Sequence, residues 1–179
     1  MKKITKLFLS IILCLSMFSI TVFASEDSEW DLAEKQAFIG ISSVLLPEGV
    51  NESVGFSGHE KGRYIGSSAV GISNEGYGNI GVYADTLAHV NVKKIQMNIY
   101  LDRWNEQKEN WEQVKMFKYV YTPAAGETLN SASESFTITD QPAGYYYRLR
   151  GLHGVWAYTG EVETHSSVTE GIMIKDGPA

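Results

Sequence analysis

The residues best suited to metal binding or acid–base catalysis are four histidines, and their spacing favours neither role. His59 precedes Glu60 but lacks the second histidine four residues on that a zinc-protease helix requires. His153 and His165 flank a predicted two-residue turn at 159–160, which would place the two imidazoles on opposite faces of their strands. The sequence therefore predicts no metal site.

The serines and carboxylates show no catalytic arrangement. None of the serines has the strand-to-helix elbow or the neighbouring base that activates a nucleophile. Glu161 and Glu163 share one side of a predicted strand and are expected to face water. The run at 74–76 is too short for a calcium loop, and no phosphate-cradling loop is visible. We therefore expect no catalytic residue and no cofactor, and a protein that is not an enzyme.

A β-hairpin predicted over residues 95–121 holds the residues that could bind a ligand. Apolar and polar residues alternate with a period of two along both of its halves, which indicates two half-buried strands. A four-residue loop would join the strands and pair Asn105 with Asn110 and Trp104 with Trp111.

This register predicts two different faces. Leu101 lies opposite Val114 and Ile99 lies opposite Met116 on an apolar face, which we expect to belong to the core. The other face collects aromatic rings and polar side chains. Its candidate ligand-binding residues are Asn98, Tyr100, Asp102, Trp104, Trp111, Gln113, Phe117 and Tyr119.

The aromatic and polar face predicts a glycan- or peptide-binding site. Rings stack on sugars or side chains, while amides and carboxylates fix the orientation of the ligand. The alternative function is a structural or protein-interaction module that docks another exported protein through this face or through a sheet edge. Aromatic pairs also stabilise exposed sheets without any ligand, and another segment could cover the face. The exposure of Trp104 and Trp111 decides between these possibilities.

The N-terminal segment predicts export. Three lysines among the first six residues precede an apolar run that ends at Phe23, and a small-residue cleavage site follows at Ala24. Residues 1–24 are therefore a predicted secretory signal peptide. A lipid-modified Cys14 is the rival interpretation. Such a cysteine favours a small residue before it, and Leu13 stands there, so we favour cleavage after Ala24. No later run approaches transmembrane length, so we expect no stable membrane insertion after cleavage.

The mature chain is predicted to be acidic and free of cysteine. Removal of three lysines leaves 12 of the 15 basic residues against 21 acidic residues, a net charge of about −9. Nucleic acids and anionic membranes are bound through basic patches, so neither is an expected partner. We expect a secreted, extracellular or cell-surface protein whose partner is a glycan or another exported protein.

The remaining pattern predicts one all-β domain. Residues 25–36 are polar and acidic and are expected to be loosely held, with one short helical turn capped by Ser28 as the alternative. Residues 37–176 form the predicted domain, with a first strand at 37–46 and a loop at 51–63. About eight strands without a long helix predict an antiparallel β-sandwich of immunoglobulin- or fibronectin-like architecture, with a barrel as the alternative. A turn over 140–144 followed by Tyr145 and Tyr147 is similar to the tyrosine corner of such sandwiches.

Four motifs carry a resemblance to a known family. They are IYLDRW at 99–104, YYYRLRG at 145–151, TGEVE at 159–163 and GIMI at 171–174. With these motifs, most of the chain after Tyr64 resembles a family of short secreted proteins of Gram-positive bacteria. The resemblance implies export and a small β domain. That family has no assigned function, so the resemblance implies no functional residues.

Overall fold

Nine strands and one helix are seen in the computed structural model, which describes residues 26–57 and 62–179. The elements in chain order are α1 (Glu26–Gln36), β1 (Glu52–Phe56), β2 (Ile65–Gly76), β3 (Asn79–Ala88), β4 (Lys94–Asn105), β5 (Asn110–Tyr121), β6 (Ser131–Ile138), β7 (Tyr145–Trp156), β8 (Val162–Val168) and β9 (Ile172–Ile174). The predicted signal peptide lies outside the described residues. Among the described residues no helix is long and apolar enough to cross a membrane.

The strands form two antiparallel sheets that pack against each other. The four-stranded sheet has the order β1-β2-β3-β6, and the five-stranded sheet has the order β5-β4-β7-β8, with β9 also paired to β7. The expected all-β sandwich is therefore confirmed. Because the described strands separate into two sheets instead of closing on one another, the alternative of a barrel does not apply.

Alternation along the strands builds the core between the sheets. In β4 the side chains of Ile95, Met97, Ile99 and Leu101 are all completely buried, as a period of two on one inward face requires. Val70 and its neighbours on β2 and β3 face them from the four-stranded sheet. Full burial of each such aliphatic side chain contributes roughly 1.5–3 kcal/mol, so this face stabilises the sandwich.

The turn before β7 has the expected tyrosine corner. The Tyr147 hydroxyl donates a hydrogen bond to the carbonyl oxygen of Pro142 at 2.9 Å. Asp140 and Gly144 take positive φ values of 59° and 81°, which turns the chain sharply enough for the ring to reach back. The prediction made for residues 140–147 is confirmed.

Three predictions for the N-terminal third are wrong. The segment expected to be loosely held forms helix α1, whose Trp30 is buried. Residues 37–46 form no strand and make a single isolated bridge, from Leu45 to Gly171. Ile39 is 76% exposed, and of the apolar residues at 37–46 only Leu46 packs against the main core. Conversely, the predicted loop at 51–63 contains β1. Its Gly55 lies directly against the backbone carbonyl of Val168, so the glycine serves close packing within a strand.

Candidate functional site

The hairpin formed by β4 and β5 has the predicted pairing only near its tip. Trp104 pairs with Trp111 and Asp102 pairs with Gln113, as expected. The register then shifts by one residue, because Val114 is an extra residue on β5. An extra residue of this kind is a β-bulge. Beyond it, each side chain of β5 faces the side of the sheet opposite to the one that the predicted register gave it.

Beyond the bulge the predicted pairs are wrong. Leu101 pairs with Lys115 and Ile99 pairs with Phe117, in place of Val114 and Met116. Residues paired directly share a face, so Phe117 turns toward the inner side of the sheet.

Two of the eight candidate residues therefore leave the predicted face. The ring centroids of Phe117 and Tyr119 lie 4.8 Å and 5.8 Å from that of Phe136 on β6. Both side chains are half-buried and pack at the margin of the main core. The alternation of aromatic residues at 117, 119 and 121 was a signal for this inward face, but it competed with the equally regular apolar residues at 114, 116 and 120.

A second set of candidates, three residues of β4, lies beneath the N-terminal segment. Asn98, Tyr100 and Asp102 are only 2%, 6% and 1% exposed. Helix α1 lies over this end of the sheet through Trp30, whose ring centroid is 5.4 Å from that of Trp156. A Cβ atom at Gly154 would overlap the Trp30 ring, so the glycine leaves the space that Trp30 occupies.

Hydrogen bonds hold α1 on the sheet. The Glu34 carboxylate accepts one from Asn98 Nδ2 at 2.9 Å and another from the Tyr100 hydroxyl. Burial and the hydrogen bond to Glu34 raise the pKa of Tyr100, so its phenol stays protonated and donates. Asn98 and Tyr100, two residues of the predicted ligand-binding face, are thus bonded to helix α1 of the same chain.

Asp102 sits at the centre of a buried ion-pair group. Its Oδ2 accepts hydrogen bonds from Nε of Arg148 at 3.0 Å and from Nε of Arg150 at 2.7 Å. The segment after α1 closes over both arginines: Ser43 Oγ lies 3.1 Å from Arg148 Nη1, and the Phe38 ring lies 4.5 Å from the Arg150 guanidinium. Residues 37–46, which were predicted to form a strand, therefore shield this ion-pair group from solvent.

Trp104, Trp111 and Gln113 form the part of the candidate face that remains accessible. The two indoles are half-buried and meet edge to face, with ring centroids 5.3 Å apart and planes at 65°. The Arg148 guanidinium lies 4.7 Å from the Trp111 ring centroid, so one face of that indole is occupied. Gln113 is exposed and accepts a hydrogen bond from Arg150.

An open cleft of about 330 Å³ lies beside Trp104 at the hairpin tip. We call it the tip cleft; its lining includes Arg103, Trp104, Asn105, Glu112 and Tyr145. The Arg103 guanidinium lies 5.0 Å from the Tyr145 ring centroid. An aromatic ring beside a few polar groups is an arrangement that small-ligand sites use.

The histidine pair across β7 and β8 differs from its prediction. His153 pairs directly with His165, so the two residues share a face, and the prediction of opposite faces is wrong. Both ring nitrogens of His153 are hydrogen-bonded, to Thr86 Oγ1 and to Ser167 Oγ, each at 2.8 Å. Within the described residues no group of three or more histidine, cysteine, aspartate or glutamate side chains could hold a metal ion; His59 lies outside them.

The two glutamates of β8 and its preceding turn have structural contacts. The prediction that Glu163 faces water is wrong: its half-buried side chain accepts hydrogen bonds from the backbone amides of Tyr64 and Ile65 at 2.8 Å and 3.1 Å. Glu161 is exposed, as expected, and pairs with Arg63 at 2.5 Å.

A second surface was missed from the sequence, and it lies on the outer face of the four-stranded sheet. An open cleft of about 390 Å³ there is lined by residues of β1, β2, β3 and β6. We call it the glycine cleft, since Gly71 and Gly81 lie in it. The unusual number of glycines in β2 and β3 was the signal that could have found it.

Comparison with known proteins gives a family but no activity. No curated protein matches the sequence. The model of a family described as "Family of unknown function (DUF6147)" matches residues 47–171, a range that contains β1 to β8 and leaves out α1 and the segment up to Leu46. This agrees with the expectation of a family without an assigned function. The chain belongs to the family of unknown function DUF6147.

Proposed function

We propose that this protein is an exported, non-catalytic β-sandwich domain that binds a glycan or an extended peptide at the tip cleft. The observation that carries the proposal is a cleft of about 330 Å³ whose lining includes the half-exposed Trp104 and the aromatic residue Tyr145. That volume lies within the range of about 300–1,000 Å³ that is usual for small-ligand sites.

The tip cleft combines a stacking surface with groups that can orient a ligand. The Trp104 indole offers an apolar face to a sugar ring or a side chain. Arg103, Asn105 and Glu112 also line the cleft, from the other face of the two paired strands, and supply hydrogen-bond donors and acceptors to it. Asn98, Tyr100 and Asp102 belong to the proposal only as supports, because they bind the N-terminal segment and the arginines of β7 instead of facing the cleft.

The ionisation of the cleft carboxylate supports a binding role over a catalytic one. Lys108 Nζ donates a hydrogen bond to Glu112 at 2.8 Å, and that bond lowers the pKa of Glu112. A carboxyl group that protonates a glycosidic oxygen needs a raised pKa. Glu112 is therefore a charged hydrogen-bond acceptor at neutral pH.

Replacing the two indoles tests the proposal. Trp104→Ala with Trp111→Ala should weaken binding to cell-wall or mucosal glycans about tenfold, since a stacked aromatic contributes on the order of 1 kcal/mol beyond its buried area. Titration calorimetry measures the affinity, and circular dichroism verifies the fold. Tyr158→Ala is the matched control, because Tyr158 is an exposed aromatic at the opposite end of β7. Equal binding by all three folded proteins, or none by wild type, would refute the proposal.

Docking of another exported protein is the second candidate function. The outward side of β5, the edge strand of the five-stranded sheet, keeps Met116 and Val120 about half exposed, at 47% and 49%. An exposed apolar row beside a strand edge is a surface that protein partners use. A purified complex with an exported protein that Met116→Asp dissociates, without any glycan binding, would favour this function.

A further inference from the structure

We propose that the glycine cleft on the four-stranded sheet is a second binding site, for an oligosaccharide that carries free, protonated amino groups. This site lies on the sheet opposite the tip cleft and does not depend on ligand binding there. Its evidence comes from the shape of the cleft, from one glycine and from the distribution of charge.

The glycine cleft is long enough for a short oligosaccharide. Its lining contains residues of all four strands of the sheet. Neighbouring strands lie about 4.8 Å apart, so a cleft that crosses four strands is about 14 Å long. Val54 and Tyr83 stand in it and are 52% and 44% exposed, which provides an apolar wall and an aromatic ring accessible to a sugar.

Gly71 is a glycine that the fold itself does not require. Its φ is not positive, and a Cβ atom placed on it would make ordinary contacts, 3.6 Å from Val54 and 3.7 Å from Tyr83. By contrast, an added Cβ at Gly55, Gly151 or Gly154 would collide with its neighbours. A mid-strand glycine weakens a strand by roughly 0.5–1 kcal/mol relative to alanine. Gly71 itself is buried, and a methyl group added to it would contact Val54 and Tyr83, the two side chains that a ligand in the cleft would touch.

The distribution of charge favours a cationic ligand. The strands of the four-stranded sheet contain neither lysine nor arginine, whereas β4, β5 and β7 carry six. Glu52 and Glu75 line the cleft and are exposed, and Asp85, two residues after Tyr83 on the same strand, lies outside the lining but on the same face. An ammonium group in the cleft would meet carboxylates and the face of the Tyr83 ring, and both attract cations.

The polar groups of the cleft fit a sugar better than a peptide. A peptide strand gains most of its hydrogen bonds by pairing along a sheet edge. Here the cleft crosses the face of the sheet, whose backbone groups already pair with neighbouring strands. Side-chain hydroxyls of Ser73 and Ser135, together with the carboxylates, are available instead, and they match the hydroxyls of a saccharide.

A matched pair of ligands tests the chemistry. Glucosamine oligomers with free amines and the same oligomers with acetylated amines are titrated against the full protein in mildly acidic buffer. We expect binding of the free amines, about tenfold weaker binding of the acetylated oligomers, and a loss of affinity at high salt because screening weakens the charge contacts.

Variants of the cleft locate the site. Glu52→Gln with Glu75→Gln should reduce the affinity for the free-amine oligomer about tenfold. The amide that replaces the Glu75 carboxylate can still accept the hydrogen bond that Thr137 donates there. Gly71→Ala should also weaken binding while thermal stability stays equal or rises. Glu127→Gln, at an exposed carboxylate outside the lining, is the charge control and should bind as wild type does.

Three results of the ligand and variant comparisons would overturn the proposal. They are equal affinity for the free and acetylated oligomers, an unchanged affinity in both cleft variants, and tighter binding of oligolysine than of the amino sugar. The last result would assign the cleft to basic peptides. Absence of binding by every probe would reject the site altogether.

Discussion

His153 connects the two sheets through a neutral imidazole. Its ring nitrogens contact Thr86 on β3 of the four-stranded sheet and Ser167 on β8 of the five-stranded sheet. One nitrogen donates and the other accepts in a neutral ring, so both hydroxyls are satisfied. Burial, and secondarily the nearby His165, lower the pKa of His153 to about 3.

This lowered pKa predicts a loss of stability in mild acid. The ordinary histidine pKa is 6.5, so between about pH 6.5 and 3 the unfolded chain holds a proton that the folded chain lacks. The free energy of unfolding rises with pH wherever the unfolded state binds more protons. We therefore expect stability to fall by up to about 1.4 kcal/mol per pH unit from this residue as the pH drops below 6.5.

Urea unfolding between about pH 7 and pH 5 measures this slope. His153→Gln should be less stable at neutral pH but should show a flatter dependence on pH. His89 is exposed, so His89→Gln should keep the wild-type slope. An identical slope in wild type and His153→Gln would show that other groups control the acid response.

Single residues also show which structural features the sequence pattern could predict and which it could not. The pairing of Trp104 with Trp111 follows from the loop length between them and is confirmed. The inward turn of Phe117 and Tyr119 depends on the extra residue Val114. On β5 the residues at 114, 116 and 120 are apolar, and the alternating residues at 117, 119 and 121 are aromatic. Either set could face the core, so the hydrophobic pattern alone could not select the register.

Helix α1 is an element held by tertiary contacts more than by its own sequence. Only Trp30 among its described side chains is fully buried, whereas Leu32 is 55% exposed. Trp30, Tyr100, Leu152 and Trp156 form a small second core on the outer face of the five-stranded sheet. An eleven-residue helix is marginal in water by itself, so its contact with the sheet stabilises it.

Loss of the Trp30 side chain should release α1 without unfolding the sandwich. Trp30→Ala is expected to lower the free energy of unfolding by about 3–5 kcal/mol at most, and to remove hydrogen-exchange protection from α1 while the inner residues of β4 stay protected. Leu32→Ala, at an exposed position of the same helix, is the control. Simultaneous loss of protection in α1 and β4 would contradict this separation.

At the scale of the whole molecule, the predicted signal peptide decides where the domain acts. Residues 1–24 lie outside the described residues, so cleavage after Ala24 and export stay predictions. We expect the protein in the culture medium or at the cell surface with a mass that corresponds to residues 25–179. Intact-mass spectrometry of fractionated cells measures this, and a cytoplasmic chain of full length would contradict export.

The distribution of charge also emerges only at this scale. The basic strands β4, β5 and β7 adjoin one another in the five-stranded sheet, whereas none of the four strands of the other sheet carries lysine or arginine. The net charge of −6 hides this separation. Strands β1 to β3 are consecutive in the chain, but β6 comes after the basic strands β4 and β5, and only its pairing with β3 places it in the same sheet.

The sequence by itself determined the fold class, most of the strands and the tyrosine corner at Tyr147, because alternation and turn residues act over a few neighbouring positions. The tertiary structure decided which surfaces are open. It covered Asn98, Tyr100 and Asp102 with α1 and the following segment, and it left Tyr83 accessible on the opposite sheet. Exposure depends on which distant segment packs over a face, and no local pattern encodes that contact.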